Sequence, residues 1–215
     1  MGWIIHKLAG GLEVVNRKFN EDLQRQIDGT LPVGHVYQLG RPGGILRAAG
    51  VEDLPVELES GLLFKKSSED YHGKHPFDIS KIKDLPTAIN SPIAVFDDDT
   101  RHSGGKRILT ELQHNGHNFM VAMRVRTDKK SRKDKVSVNN IRSIFPKDRV
   151  NELFDWFYGR NDLLRWVDKE KARNFVSIQS TYRTVDGNEG RATDKVMAKI
   201  DSFQNPVYYG GQARA

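Results

Sequence analysis

The stretch "KVSVNNIRSIFPKD", Lys135 to Asp148, decides how the middle of this 215-residue chain folds. Val136 and Val138 alternate with Ser137 as a half-buried strand requires, yet the next apolar residue is Ile141, an odd step away, followed by Phe145. The alternation slips phase at Asn139 and Asn140. Because strand side chains repeat with period two, either the strand ends there, entering the "FPKD" turn, or an extra residue bulges and re-aims the side chains beyond it. In the second case Asn140 and Arg142 are presented on a basic face of the sheet. The phase slip alone is compatible with both.

Upstream of this stretch the pattern is one of strands joined by turns. "PIAVF" (Pro92–Phe96), "KRILTELQ" (Lys106–Gln113) and "NFMVAMRVR" (Asn118–Arg126) read as three strands, separated by the loop "DDDTRHSGG" and the Asn-Gly turn of "HNGH". Phe119, Val121, Met123 and Val125 share one face of the third, whereas Arg124 and Arg126 take the other. With the quoted stretch as the fourth strand, short connections imply an antiparallel meander. The fold class is α+β, with helices flanking this four-stranded meander.

Charge is concentrated in the same region. Between Arg101 and Arg149 there are 13 Lys or Arg against 4 Asp or Glu, whereas the rest of the chain carries 21 against 24. The overall charge of +6 therefore arises from one segment. One explanation is a phosphate-binding surface for nucleic acid, with Arg124, Arg126, Lys129, Lys130, Arg132, Lys133, Asn140 and Lys147 as its contacts. The other is a solvated hairpin tip, since "TDKKSRKDK" supplies five of those bases between two apolar strands.

Helical patterns lie on either side. Leu12, Val15, Phe19, Leu23 and Ile27 recur at helical spacing and Asp28-Gly29 stops them, which marks residues 1–30 as an N-terminal amphipathic helix that lies over the core. "GRPGGILRAAG" implies a short helix, and Ser80 to Asn90 a second that Leu85-Pro86 shortens or kinks. Beyond Lys147 come an apolar helical stripe (Val150, Leu153, Phe154, Phe157, Tyr158), then "LLRWVD" leading into a helix from Asp168 to about Ser180, and a last helix from about Thr193 to Phe203. The main domain spans 31–206, and 207–215 reads as a flexible tail.

Composition narrows the chemistry. The chain has no cysteine, which removes disulfides, zinc–thiolate sites and a cysteine nucleophile, and fits a reducing cytoplasm. Neither a signal peptide nor a stretch of the ~20 apolar residues of a membrane span is present. No phosphate-binding "GxxxxGK", dinucleotide "GxGxxG" or zinc-protease "HExxH" occurs. "HGKH" at His72–His75 and "HNGH" at His114–His117 have metal-like spacing without an accompanying carboxylate, so no metal and no cofactor are expected. What remains is His, Arg, Lys, Ser and Asn near one small sheet. Metal-independent RNA cleavage asks for that equipment: a base for the 2′-hydroxyl, an acid for the 5′-oxygen and a cation for the phosphate.

Four phrases, "FNEDLQRQIDGTLPVGHVYQLGRPGGILRAAGVEDLPVEL", "HPFDISKIKDLPTAINSPIAVF", "ELQHNGHNF" and "NNIRSIFPKD", carry a resemblance that runs from about Glu13 to Pro206. The chain resembles the phage MuF carboxy-terminal domain and its relatives in large polyvalent proteins of Bacteroidetes phages and conjugative elements. These are grouped with the barnase, EndoU, colicin and RelE-like nucleases, whose fold places helices before a four-stranded antiparallel sheet. The resemblance implies a toxin-like or host-directed endoribonuclease of a mobile element, acting in the host bacterial cytoplasm on tRNA, rRNA or mRNA. An immunity or host protein is a further partner of that kind. His75, His114, Asn140, Arg142 and Ser143 fall in the matching phrases, and Glu111 is the carboxylate that suits such a site. On this reading His75 or His114 transfers a proton and Arg142 stabilises the phosphate. Two alternatives stay open: a nucleic-acid-binding module without activity, and a domain that recognises a host protein. The sequence does not determine the oligomeric state.

Overall fold

The computed structural model describes residues 2–67, 76–98, 104–130, 135–158, 163–181, 189–209 and 212–213. The chain begins with a long helix, α1 (Gly2–Ile27). It then runs through β1 (Val36–Gln38), α2 (Gly44–Ala48), β2 (Val56–Glu59) and α3 (Ser60–Ser67). A single 3-10 turn (Ile79–Ile82) and α4 (Leu85–Asn90) precede three consecutive strands, β3 (Ala94–Asp97), β4 (Gly105–His114) and β5 (His117–Lys130). Next come β6 (Lys135–Pro146), α5 (Val150–Tyr158), β7 (Leu164–Val167), α6 (Lys169–Thr181) and α7 (Glu189–Ser202). A short ribbon of β8 (Tyr208–Tyr209) and β9 (Gln212–Ala213) lies within the expected tail.

The main sheet has seven strands in the order β1-β2-β6-β5-β4-β3-β7. It is larger than the four-stranded sheet expected. Strands β3 to β6 do pair antiparallel with their neighbours in sequence, but β1 and β2 extend one edge and β7 the other. One junction is parallel: β2 runs alongside β6, with Val56, Glu57 and Leu58 in register with Asn139, Asn140 and Ile141. Strands of three or four residues are too short to show a periodicity, and the partner of β2 lies some eighty residues further on, so neither local pattern nor hairpin chemistry announces them. "LRWV", read as the approach to a helix, is strand β7 for the same reason.

Two apolar layers sandwich the sheet. On one face Phe19 and Leu23 of α1, Leu46 of α2, Leu63 of α3 and Ile89 of α4 pack with Val95, Ile108, Phe119, Val121, Met123 and Ile144. On the other, Phe154 and Phe157 of α5, Val176 of α6 and Val196 of α7 pack with Ala94, Phe96, Leu109 and Met120. The alternation of Phe119, Val121 and Met123 with Met120 is the period-two signal of the sequence realised as two cores.

Local chemistry explains the joints. Asn115 and Gly116 both have positive φ (50° and 77°), the pair a tight hairpin turn of the primed type requires, and this closes β4 onto β5. The expected helix from Ser80 to Asn90 is instead two pieces. Asp84 takes a left-handed φ of 63°, and α4 starts anew with Pro86 in its first turn, where a missing N–H is no loss. Asn20 of α1 fixes that break, donating to the Asp84 carboxylate at 2.8 Å and accepting from the Asp84 N–H at 2.9 Å.

Candidate nucleic-acid interface

Strand β6 does not end at the phase slip. On β5, Ala122 and Met123 register with Ser143 and Ile141, which leaves Arg142 as an extra residue on β6. A second irregularity lies next to it: Arg124 registers with Asn140 and Thr127 with Val138, so Val125 and Arg126 together oppose Asn139, and Arg126 has φ 50°. Two bulges on facing strands thus bracket Asn140 and Ile141, each adding local twist and re-aiming the residues beside it.

Asn139 holds the second bulge in place. It is fully buried, its amide donates to the carbonyls of Glu52 (2.8 Å) and Leu54 (3.1 Å), and its side-chain oxygen accepts from the Arg126 N–H at 3.3 Å. The same residue therefore ties the loop before β2 to β6. Asn139 belongs to the architecture, and its neighbour is the residue presented on the other face.

Residues in register across a sheet share a face. Gln38, Glu57, Asn140, Arg124 and Gly105 succeed one another across β1, β2, β6, β5 and β4, and on the next rung Ser143, Ala122 and Arg107 do the same. This face is the one that carries α5 to α7, whose apolar cluster reaches Met120 and Phe145 and, through Phe96 and Trp156, the Arg107 end of the second rung. Asn140 is only 2% exposed, and its Nδ2 has no hydrogen-bond partner among the described residues. A buried amide donor without an acceptor is uncommon and asks for an explanation.

The guanidinium opposite it is equally without a counterpart. The Arg124 side chain makes no hydrogen bond or ion pair among the described residues, and the same holds for the side chains of Arg142 and Ser143. Three other arginines of the sheet are committed: Arg107 donates to Asp98 at 2.9 Å and stacks over Trp156, Arg126 donates to Glu52 at 2.6 Å, and Arg165 donates to Asp97 at 2.6 Å. The Asp97 carboxyl is pushed up by burial, but the hydrogen bonds from Arg165 and Lys106 outweigh this and hold it below its ordinary value. Those three charges are thus neutralised in pairs, while the Arg124 and Arg142 guanidinium groups and the Ser143 hydroxyl are donors without a side-chain partner among the described residues, and the Asn140 amide beside them is closed off from solvent. A group of such donors is matched by phosphate oxygens. Glu57 borders it, its carboxylate accepting from the Gln38 amide at 3.2 Å.

The remaining candidates are placed elsewhere. His114 ends β4 beside its register partner His117, with Nε2 3.2 Å from the Asn115 amide and Nδ1 buried without a partner among the described residues. It lies seven residues further along β4 than Arg107, roughly 20 Å at the rise of a strand, so His114 and Arg142 do not meet at one phosphate. Glu111 is exposed and paired with Lys171 at 2.6 Å. Lys147 is buried, bonded to Glu152 and 5.1 Å from the centre of the Trp156 ring, so its charge serves the junction of β6 and α5. Lys129 and Lys130 close β5, in register with Val136 and Lys135. His75, Arg132 and Lys133 lie outside the described residues.

Sequence reasoning did not place Glu57 beside Asn140, because the parallel register of β2 against β6 that does so is revealed by no local pattern. A cavity of about 680 Å³ beside His35, between the 29–36 loop and the start of α3, is lined by Leu31, Pro32, Val33, Val36 and Phe64, a surface without the cationic donors that a phosphate needs. No helix among the described residues is long and apolar enough to cross a membrane.

A family model describing the phage MuF-C-terminal domain matches residues 66–174, just over half of the chain. No curated protein and no solved structure matches it. The match takes in β3 to β7 with both bulges, whereas β1 and β2, which bring Gln38 and Glu57 to the same row, precede it. The chain belongs to the phage MuF C-terminal domain family.

Proposed function

We propose that this domain binds RNA through the sheet face of β5 and β6. The observation that carries this reading is the Arg124 guanidinium, which has no acid partner among the described residues and lies in the segment that holds the chain's excess positive charge, with exposed Arg142 on the facing strand. Phosphate supplies the missing partner, and the basic residues at the end of β5, Lys129 and Lys130, extend the contact along a backbone. Cellular RNA (tRNA, rRNA or mRNA) is the substrate class, encountered in a bacterial host's cytoplasm. The test is fluorescence anisotropy with labelled total tRNA across a salt series. Binding that weakens steeply and linearly in log–log form with rising salt supports the reading, and the absence of binding at low salt refutes it.

A second reading, a metal-independent endoribonuclease acting by 2′-hydroxyl attack, is favoured by the position of Arg142. It sits exposed on a bulge next to Ser143 and two residues from Asn140, where bulges elsewhere re-aim catalytic side chains. Cleavage of the tRNA probe in EDTA, with products ending in a 2′,3′-cyclic phosphate, is its signature.

A further inference from the structure

Strands β5 and β6 keep pairing where the rest of the sheet has stopped. β4 reaches β5 only as far as Arg124, opposite Gly105, and β2 meets β6 from Asn139 to Ile141. Beyond them Thr127, Asp128, Lys129 and Lys130 register with Val138, Ser137, Val136 and Lys135, and no third strand joins these four rungs among the described residues. The resulting arm is ~10 Å long at the rise of a strand. Its root is held firmly, by the Asn139 amide on the carbonyls of Glu52 and Leu54 and by Arg126 on the Glu52 carboxylate. A two-stranded ribbon gains little stability of its own, so packing does not account for the extension. Charge even opposes it: Lys130 stands opposite Lys135, and like charges in that relation destabilise a strand pair. Asp128, the acid of these rungs, accepts from the Ser137 hydroxyl at 2.7 Å. A polyanion relieves the opposition of the two lysines.

What these strands lack narrows the kind of RNA. Unpaired RNA is held by stacking its bases on aromatic rings. The Phe, Tyr and Trp residues of β5 and β6 are Phe119 and Phe145, and each packs in one of the two cores, while Trp156 lies under Arg107 and Lys147. Base edges are read mostly by Arg, Asn and Gln, and none of the eight residues in the arm's rungs is one of these. The lysines of the arm, the Arg124 and Arg142 guanidinium groups and the Ser143 hydroxyl are donors to phosphate and ribose oxygens. From Arg124 to Lys130 they extend over roughly 20 Å at the rise of a strand. Such a rail suits a backbone that is already regular. We infer that the β5–β6 arm docks on double-stranded RNA, so that the RNA bound by this domain is a stem, an inference that rests on the RNA-binding reading. The arm lies on the wide, shallow minor groove, where phosphates and 2′-hydroxyls are displayed, because the A-form major groove is too narrow to admit it. Lys129, Lys130 and Lys135 bring charge to the phosphates beside that groove, and Arg124 and Arg142 continue the contact at the root of the arm. Recognition follows shape and charge, and is indifferent to base sequence.

The experiment measures binding of the full chain in EDTA to three labelled probes: a mixed-sequence RNA duplex of ~20 base pairs, a DNA duplex of the same sequence, and oligouridylate of ~20 nucleotides, which forms no stem. The RNA duplex is expected to bind at least ~10-fold more tightly than oligouridylate at equal salt. The variant carrying Lys129→Ala, Lys130→Ala and Lys135→Ala is expected to melt no lower than the wild type, since a like-charge pair is removed, and to bring the ratio of the two affinities close to one. The ratio is the decisive quantity, because loss of charge alone weakens both probes together. Oligouridylate binding as tightly as the RNA duplex overturns the inference and leaves the RNA-binding reading intact. A variant that melts like the wild type and keeps its ratio also overturns it, as does tighter binding of the DNA duplex than of the RNA duplex. Failure of the wild type to bind any probe at low salt removes the RNA-binding reading itself and this inference with it.

Discussion

Asn140 on β6 stands directly opposite Arg124 on β5, and the two strands bulge on either side of that pair. Neither side chain finds its partner within the described protein, although Asn140 is nearly inaccessible. Their shared surroundings explain why. The bulge at Arg142 switches the phase of β6, so Ile141 enters the core with Met123 while Asn140 joins the opposite face. A polar residue is thereby set into a sheet whose neighbouring positions are packed with Val, Ile and Met.

The bulge at Val125 and Arg126 depends on Asn139. Asn139→Ala removes an amide that satisfies two loop carbonyls and an oxygen that receives the Arg126 N–H. The expected loss is about 1–3 kcal/mol, because buried polar groups are left unpaired. Urea denaturation measures it. A midpoint equal to that of the wild type would mean that the loop before β2 holds its position without Asn139.

The junction of β6 and α5 is expected to weaken in acid. Hydrogen bonds from Arg149 and Lys147 lower the Glu152 carboxyl to about 2. A depressed carboxylate contributes stability that is present above its unfolded value and is lost as pH falls toward the folded value. Thermal midpoints of the wild type should therefore fall faster than those of Glu152→Gln between about pH 5 and about pH 2. Glu152 is partly exposed, so the difference stays under about 1 kcal/mol. Parallel curves would show that the ion pairs contribute nothing.

Reversing the basic tip separates nucleic-acid contact from mere solubility. Lys129, Lys130, Arg132 and Lys133 changed together to Glu should weaken tRNA binding by at least ~10-fold at low salt and flatten its salt dependence, since fewer counterions are released. Anisotropy titrations at several salt concentrations provide both quantities. An unchanged slope would make the tip a solvated hairpin end.

Much of the fold is legible in the sequence because it is local. The Asn115-Gly116 turn, the alternation from Phe119 to Val125 and the helical stripe from Val150 to Tyr158 each write their geometry within a few residues. The illegible parts are non-local. Nothing near "VELE" says that Glu57 will lie beside Asn140, because a parallel pair is made only when distant segments meet. The phase slip at Asn139 and Asn140 does mark the bulged region, but the extra residue is Arg142, and a second bulge on β5 is visible only once the partner strand is in place. His114 and Arg142 belong to strands close in sequence, yet the hairpin carries His114 to its far end. Lys147 reads as a surface charge in sequence, whereas Trp156 and Glu152 draw it inward.

The most direct measurement of the central claim, that the β5–β6 face receives RNA phosphate, is the salt dependence of tRNA binding by Arg124→Ala beside the wild type. Arg124 holds no structural ion pair among the described residues, so its removal leaves the fold's own pairs intact. Weaker binding is expected across the whole salt range, with a log–log slope smaller by about 1, the release corresponding to one phosphate contact. Equal affinity and equal slope for the two proteins would contradict the claim.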